Sequence, residues 1–164
     1  MTDVTEPRTV MRGTYYDDHE PGRRFVHHWG RTLTRHDVID FATMTNQYNP
    51  LHFNVEYARA HGHPDVVAPG LLVYNICLGL SVEDLSEAGG PFLNLTGVTF
   101  LQPVYPGDTL TCESVVLDRR LSKSRPGWGI VEWESAGHRQ DGECVVRYRR
   151  ANLALTREGS GNVQ

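Results

Sequence analysis

Pro69-Gly70-Leu71-Leu72-Val73-Tyr74-Asn75-Ile76-Cys77-Leu78-Gly79-Leu80 is apolar on nearly every side of a helical wheel. The Pro69-Gly70 step opens it, because proline cannot continue an earlier helix but suits the start of a new one. A helix with almost no polar face has no side for water, so the reading predicts that a sheet wraps it. The residues that follow supply the sheet. Their apolar period changes to two over 93–101, 109–117, 128–133 and 144–155, the alternation of half-buried strands. Tyr105-Pro106-Gly107-Asp108 and Gln140-Asp141-Gly142 punctuate them with good turn chemistry. Helices first and then a run of antiparallel strands make the class α+β.

Upstream, Thr34 with Asp37 three residues later forms a capping-box pattern. It opens an amphipathic helix whose Val38, Phe41, Ala42 and Thr45 share one face. The Asn49-Pro50 step ends regular structure, since the residue before proline is pushed out of the helical region. Asn54 is then placed to cap a short helix through Arg59. The polar stretch 1–13 and the Gly/Ser-containing stretch 157–164 read as flexible ends around one domain at 14–156.

The bulk numbers narrow the function classes. A chain of 164 residues and 18.5 kDa is long enough to bury a core without disulfides or metal. A formal charge of -4 and a pI near 6.0 leave no electrostatic footprint for nucleic acid. No apolar run approaches the roughly 20 residues that span a bilayer, and the N-terminus lacks the apolar core of a signal peptide. Cys77, Cys112 and Cys144 are odd in number and far apart, so they read as buried thiols of a reducing compartment. The expected location is the cytoplasm.

Between the first two helices stands Thr45-Asn46-Gln47-Tyr48-Asn49-Pro50-Leu51-His52, followed by Phe53-Asn54-Val55-Glu56-Tyr57-Ala58. This segment resembles the catalytic signature of the MaoC-like (R)-specific enoyl-CoA hydratases, Asp-x-Asn-Pro-x-His. In that family the Asp and His grip one water between them. Asn49, Pro50 and His52 match the pattern; the Asp position holds Gln47. The resemblance runs from about Tyr15 to Leu155. It takes in Tyr15-Tyr16-Asp17-Asp18, Gly30-Arg31-Thr32-Leu33-Thr34, Pro69-Gly70-Leu71-Leu72 and Pro103-Val104-Tyr105-Pro106-Gly107-Asp108-Thr109-Leu110. Ser122-Lys123-Ser124-Arg125-Pro126-Gly127-Trp128 and Gly79-Leu80-Ser81-Val82-Glu83-Asp84 are similar to a narrower branch, the mesaconyl-CoA and itaconyl-CoA hydratase-like proteins. The resemblance implies a hot-dog fold, a homodimer or a multiple of dimers, and hydro-lyase chemistry on the α,β bond of an acyl-CoA or carrier-protein thioester. It implies no cofactor beyond the CoA or carrier arm of the substrate itself.

Each candidate residue has a chemical reason. Histidine titrates near neutrality, so His52 suits both removal of a proton from water and its return to Cα. Gln47 can hold the attacking water through its carbonyl and NH₂ but cannot take a proton. It would suit an acyl chain that carries its own carboxylate, which a catalytic Asp would repel. Asn49 is expected to hold the loop through an Asx-type bond or to orient His52. Gly70 and Leu71 offer free N–H groups at the positive end of the central helix, the place for an oxyanion hole. Lys123, Ser124 and Arg125 form a small basic cluster able to meet the phosphates of CoA. His61, His63 and Asp65 lack a further ligand at a recognisable spacing, so no metal site is expected. His27, His28 and His138 carry no sequence signal. Two alternatives stay open: a silent acyl-thioester-binding subunit that has lost the Asp, and a thioesterase, for which the motif loop offers no carboxylate.

Overall fold

The computed structural model describes residues 13–160. The expected N-terminal extension 1–13 lies outside that range apart from Gly13, and so do 161–164. A 3-10 turn at Tyr16–Asp18 leads into β1 (Arg24–Val26), β2 (Arg31–Thr32) and α1 (Arg35–Met44). A second 3-10 turn, Pro50–His52, precedes α2 (Val55–Ala60), α3 (Gly70–Leu80) and the single turn α4 (Val82–Leu85). Four long strands complete the chain: β3 (Phe92–Phe100), β4 (Thr109–Leu121), β5 (Trp128–Arg139) and β6 (Cys144–Leu155), followed by the turn α5 (Arg157–Ser160).

The sheet is antiparallel in the order β1-β4-β5-β6-β3, with β2 also paired to β4. One face carries α3, whose Leu72, Val73, Tyr74, Ile76 and Cys77 pack against Leu110, Cys112, Val146 and Tyr148. A long helix held by a curved antiparallel sheet is the hot-dog fold, as the sequence led one to expect. Enclosure is one-sided, however. Leu71 is 47% exposed, and Asn75 and Gly79, one and two turns further on, are open as well. The Thr34–Asp37 capping box forms in both directions at the start of α1.

Two strands run beyond the stretches that alternation suggested, β4 to Leu121 and β5 to Arg139. The pattern faded there because the inward positions of β5 are small or polar. A Cβ on Gly137 would come within 2.4 Å of the Cys77 sulfur, so only glycine admits the helix. Ser135 is completely buried and meets the Ser114 hydroxyl at 2.7 Å. Residues 157–160, read as the start of a tail, form a helical turn. The Arg157 guanidinium grips Asp18 at 2.7 Å and its N–H donates to Asp17 at 2.8 Å. On the opposite flank, β3 is an edge strand exposing Phe92 (45%), Leu93 (45%) and Phe100 (47%).

Candidate active site

The loop between α1 and α2 is built from local hydrogen bonds. Asn46 takes a left-handed φ of 56°, tolerable for asparagine, and turns the chain out of α1. The Gln47 N–H returns to the Ala42 carbonyl at 2.8 Å. Asn49 Oδ1 accepts from the Leu51 N–H at 3.1 Å, the Asx-type bond, and Pro50 supplies a fixed φ at the head of the turn. Asn54 Oδ1 accepts from the N–H groups of Glu56 and Tyr57, which caps α2. His52 thus leaves a loop whose two ends are both tied.

Its ring is tied too. Nδ1 lies 2.6 Å from the Val67 carbonyl, and the Val67 N–H donates to the Leu51 carbonyl at 2.9 Å. A carbonyl only accepts, so Nδ1 carries the proton and Nε2 keeps its lone pair. Nε2 has no hydrogen-bond partner among the described residues. The ring borders a cleft of about 400 Å³ that runs past Ala68 and Gly70 to Phe100, Gln102, Val104 and Val145.

Gly70 opens α3 at the edge of that cleft. The Leu72 and Val73 N–H groups fold back on the Pro69 carbonyl. The Gly70 and Leu71 N–H groups find no acceptor among the described residues, as expected of a helix start without a side-chain cap. The Phe100 ring sits over Gly70 so closely that a Cβ there would meet it at 3.0 Å. His52, with a ring nitrogen unspent among the described residues, and Gly70, whose N–H opens the helix, thus border one cleft. That pairing matches a reaction which takes a proton while charge builds on an oxygen.

The family model for mesaconyl-CoA hydratase matches residues 2–162. The chain belongs to the mesaconyl-CoA hydratase family. It is 38% identical over 152 residues to the mesaconyl-CoA hydratase of Haloarcula marismortui, covering 92% of this chain and 42% of that one. It is 32% identical to the β-methylmalyl-CoA dehydratase of Chloroflexus aurantiacus, covering 89% and 41%. The solved structure of a putative MaoC domain dehydratase from Chloroflexus aurantiacus superposes with a TM-score of 0.82 at 30% identity, over 88% of this chain and 41% of that one. The MaoC-like dehydratase of Rhodospirillum rubrum gives 0.78 at 27%, over 88% and 99%. The chain therefore spans about two fifths of these two curated relatives and nearly all of the smaller solved one.

Within this member of the mesaconyl-CoA hydratase family, the expected site residues separate. His52 and Gly70 line the same cleft; Gln47, Asn49 and Leu71 are not among its lining residues. The Gln47 side chain is half-buried and makes no hydrogen bond with a described residue. Lys123, Ser124 and Arg125 are exposed in the β4–β5 connection. That connection lies at the other end of the sheet: Trp128 pairs with Leu155, while Phe100 of the cleft pairs with Val146. At about 3.3 Å per residue the two ends are roughly 30 Å apart along β6. His61 bonds the Tyr57 carbonyl, His63 bonds Tyr105, and Asp65 is held by Arg35, so these three do not converge.

Sequence reading passed over a second polar cluster. His27, with its side chain fully buried, contacts Asp84 at 2.6 Å through Nδ1 and the Ser114 hydroxyl at 2.9 Å through Nε2. The order Ser-His-Asp imitates a nucleophilic triad. Ser114 is 4% exposed and spends its hydroxyl on Ser135, so the group is structural. Beside it, fully buried His19 meets Thr14 at 3.1 Å and accepts from the Trp133 indole at 3.4 Å. Burial lowers the pKa of both histidines, that of His19 to about 4. Only the alternation of β4 and β5, with polar Ser114 and Ser135 in inward positions, hinted at these partners.

Proposed function

We propose that the chain hydrates, or in reverse dehydrates, the α,β bond of an acyl thioester, with His52 as the sole acid and base. The observation that carries this is the shared cleft of His52 and the Gly70 N–H. His52 Nε2 takes a proton from water as its oxygen bonds to Cβ. The C=C electrons move toward the thioester oxygen, where the Gly70 N–H, with Leu71 beside it, stabilises the enolate. The imidazolium then delivers its proton to Cα, so water is added and no proton is lost. Gln47 contributes no proton and does not line the cleft. Relatives named mesaconyl-CoA hydratase point to a short, branched or dicarboxylic acyl-CoA.

A second copy of the chain on the free edge of β3 completes the reading. The edge exposes apolar side chains and unpaired backbone groups, which pairing would cover. Antiparallel β3 pairing would also carry the Lys123–Arg125 loop of one copy to the end of the sheet that holds the other's cleft, within reach of CoA phosphates. Light scattering should give a dimer or a multiple of dimers; a stable 18.5 kDa species would sink this part.

The Gln47 position favours one rival, a silent acyl-binding subunit. The two separate in one assay, the loss of conjugated enone absorbance from a panel of enoyl-CoAs. Hydration by the pure protein supports the enzyme; no change with any ester, despite binding, supports the silent subunit. A thioesterase fits poorly, since no carboxylate lines the cleft among the described residues.

A further inference from the structure

Among the described residues, the cleft has a single polar side chain apart from His52, that of Gln102; the others lining it are apolar or glycine. Gln102, itself exposed, borders the cleft from the β3–β4 connection, whose backbone is pinned on both sides of it. The Leu101 N–H donates to the Val145 carbonyl at 2.9 Å, and the Val104 carbonyl accepts from the Ala68 N–H at 2.8 Å. Arg139 donates to the Pro103 carbonyl at 3.2 Å. Ala68 is peptide-bonded to Val67, whose carbonyl fixes His52. One short scaffold therefore positions both polar side chains of the cleft. Yet the Gln102 amide, unlike the His52 ring, makes no hydrogen bond to any described residue.

An acyl chain that bears a carboxylate would bring a charge against this largely apolar lining and give up part of its water. Among the described residues of the chain, no lysine or arginine lines the cleft to receive it. His52 Nε2 is occupied by the transferred proton and the Gly70 N–H by the thioester oxygen. Gln102 is what remains. We infer that Gln102 is the specificity-determining residue of this site, its NH₂ donating to a carboxylate on the acyl chain. The inference rests on reading the cleft as an acyl-thioester site, and it assigns the selecting role to Gln102 instead of Gln47, which does not line the cleft.

Calorimetric binding of succinyl-CoA and butyryl-CoA tests this without any turnover, since both are saturated and differ in a terminal carboxylate. Wild type should bind succinyl-CoA more tightly. Gln102→Leu should weaken succinyl-CoA about ten- to hundredfold, the range for a hydrogen bond to a charged group, and leave butyryl-CoA within about twofold. Gln102→Asn, with the donor drawn back by one carbon, should fall between; Gln47→Leu should keep the preference. Equal losses for both esters, no preference in wild type, or an Asn variant equal to wild type would overturn the inference. Mesaconyl-CoA hydration is read separately. A binding preference that Gln102→Leu abolishes, in a protein that hydrates nothing, upholds Gln102 and removes the hydratase reading. Mesaconyl-CoA hydration with unchanged binding in Gln102→Leu does the reverse.

Discussion

The two ends of α3 each carry a histidine, and they treat it in opposite ways. At the Gly70 end, His52 is half-buried, has Nδ1 anchored on the Val67 carbonyl and leaves Nε2 without a partner. Beyond the Leu80 end, His27 is fully enclosed and has both nitrogens bonded, to Asp84 and Ser114. Arg150 is enclosed there as well, 1% exposed, bonded to the Ser81 hydroxyl and stacked 5.2 Å from the Trp133 ring. Burial draws the Arg150 pKa down. The distant end uses polar groups to join β4, β5, β6 and α4, at the cost of burying them. The near end leaves one nitrogen and two N–H groups unspent. Arg150 Nε and Asn152 Oδ1 also lack partners among the described residues but are sealed from solvent, whereas His52 borders an open cleft.

The largest test of that contrast exchanges each histidine. His52→Ala should lower turnover by about 10²–10⁴-fold, the usual contribution of a positioned acid–base group, while the urea midpoint barely moves. His27→Ala should do the opposite. Asp84 and Ser114 lose their partner at roughly 1–3 kcal/mol per unsatisfied group, with little change in the kcat of the remaining folded protein. Steady-state kinetics beside urea unfolding reads both. If His52→Ala is fully active, or His27→Ala is inactive while folded, the two ends do not differ as described.

The next test sharpens the near end alone. Gly70→Ala keeps the N–H and adds a methyl group against the Phe100 ring, which must give way by a few tenths of an ångström. Gly70→Pro places a Cβ at the same point, adds two further ring carbons and deletes the N–H, at a first helical position where proline is tolerated. Turnover by the proline variant should fall about 10²–10³-fold below that of the alanine variant, the effect of removing one oxyanion donor. Equal rates for the two would mean that Gly70 serves packing only.

Much of the near end was legible in the sequence because its parts are local. Asn49-Pro50, the Asn54 cap and Pro69-Gly70 all act within a few residues of themselves, and spacing reports such features. Period-two alternation gave the strands until Ser135 and Gly137, where the inward positions lost their apolar character to make room for Ser114 and Cys77. The far end was illegible for the same reason. His27 finds Asp84 57 residues away and Ser114 87 residues away, and no local pattern encodes such pairings. Gln102 was invisible by composition, a surface-type residue in a connection; only the apolar lining around it makes it stand out. The Lys123–Arg125 loop shows the limit of motif reading, since residues that suit one ligand can lie at opposite ends of a sheet.

The smallest effect probes the far end by pH. His19 has no exposed surface, and its Nδ1 accepts the Trp133 indole N–H, so the neutral ring is the form the fold selects. Burial is the main cause that lowers its pKa from 6.5 to about 4, aided by Arg23, Arg119 and Arg150 and opposed by Asp18. A histidine with a depressed folded pKa binds fewer protons folded than unfolded between those two values. Its contribution is therefore complete above pH 6.5 and lost as the pH falls toward 4, in total roughly 3 kcal/mol at about 1.4 kcal/mol per unit. His27, lowered by burial against the pull of Asp84, adds in the same direction. Asp18, Asp37 and Asp65 have pKa values below the usual 3.8, so their contributions fail at lower pH than that of His19. Urea midpoints from pH 6.5 down toward 4 should fall steadily for the wild type. His19→Gln, which cannot titrate, should start less stable at pH 7 and show a flatter slope. A His19→Gln slope as steep as the wild type's would place the acid sensitivity elsewhere and remove His19 from the account of the buried end.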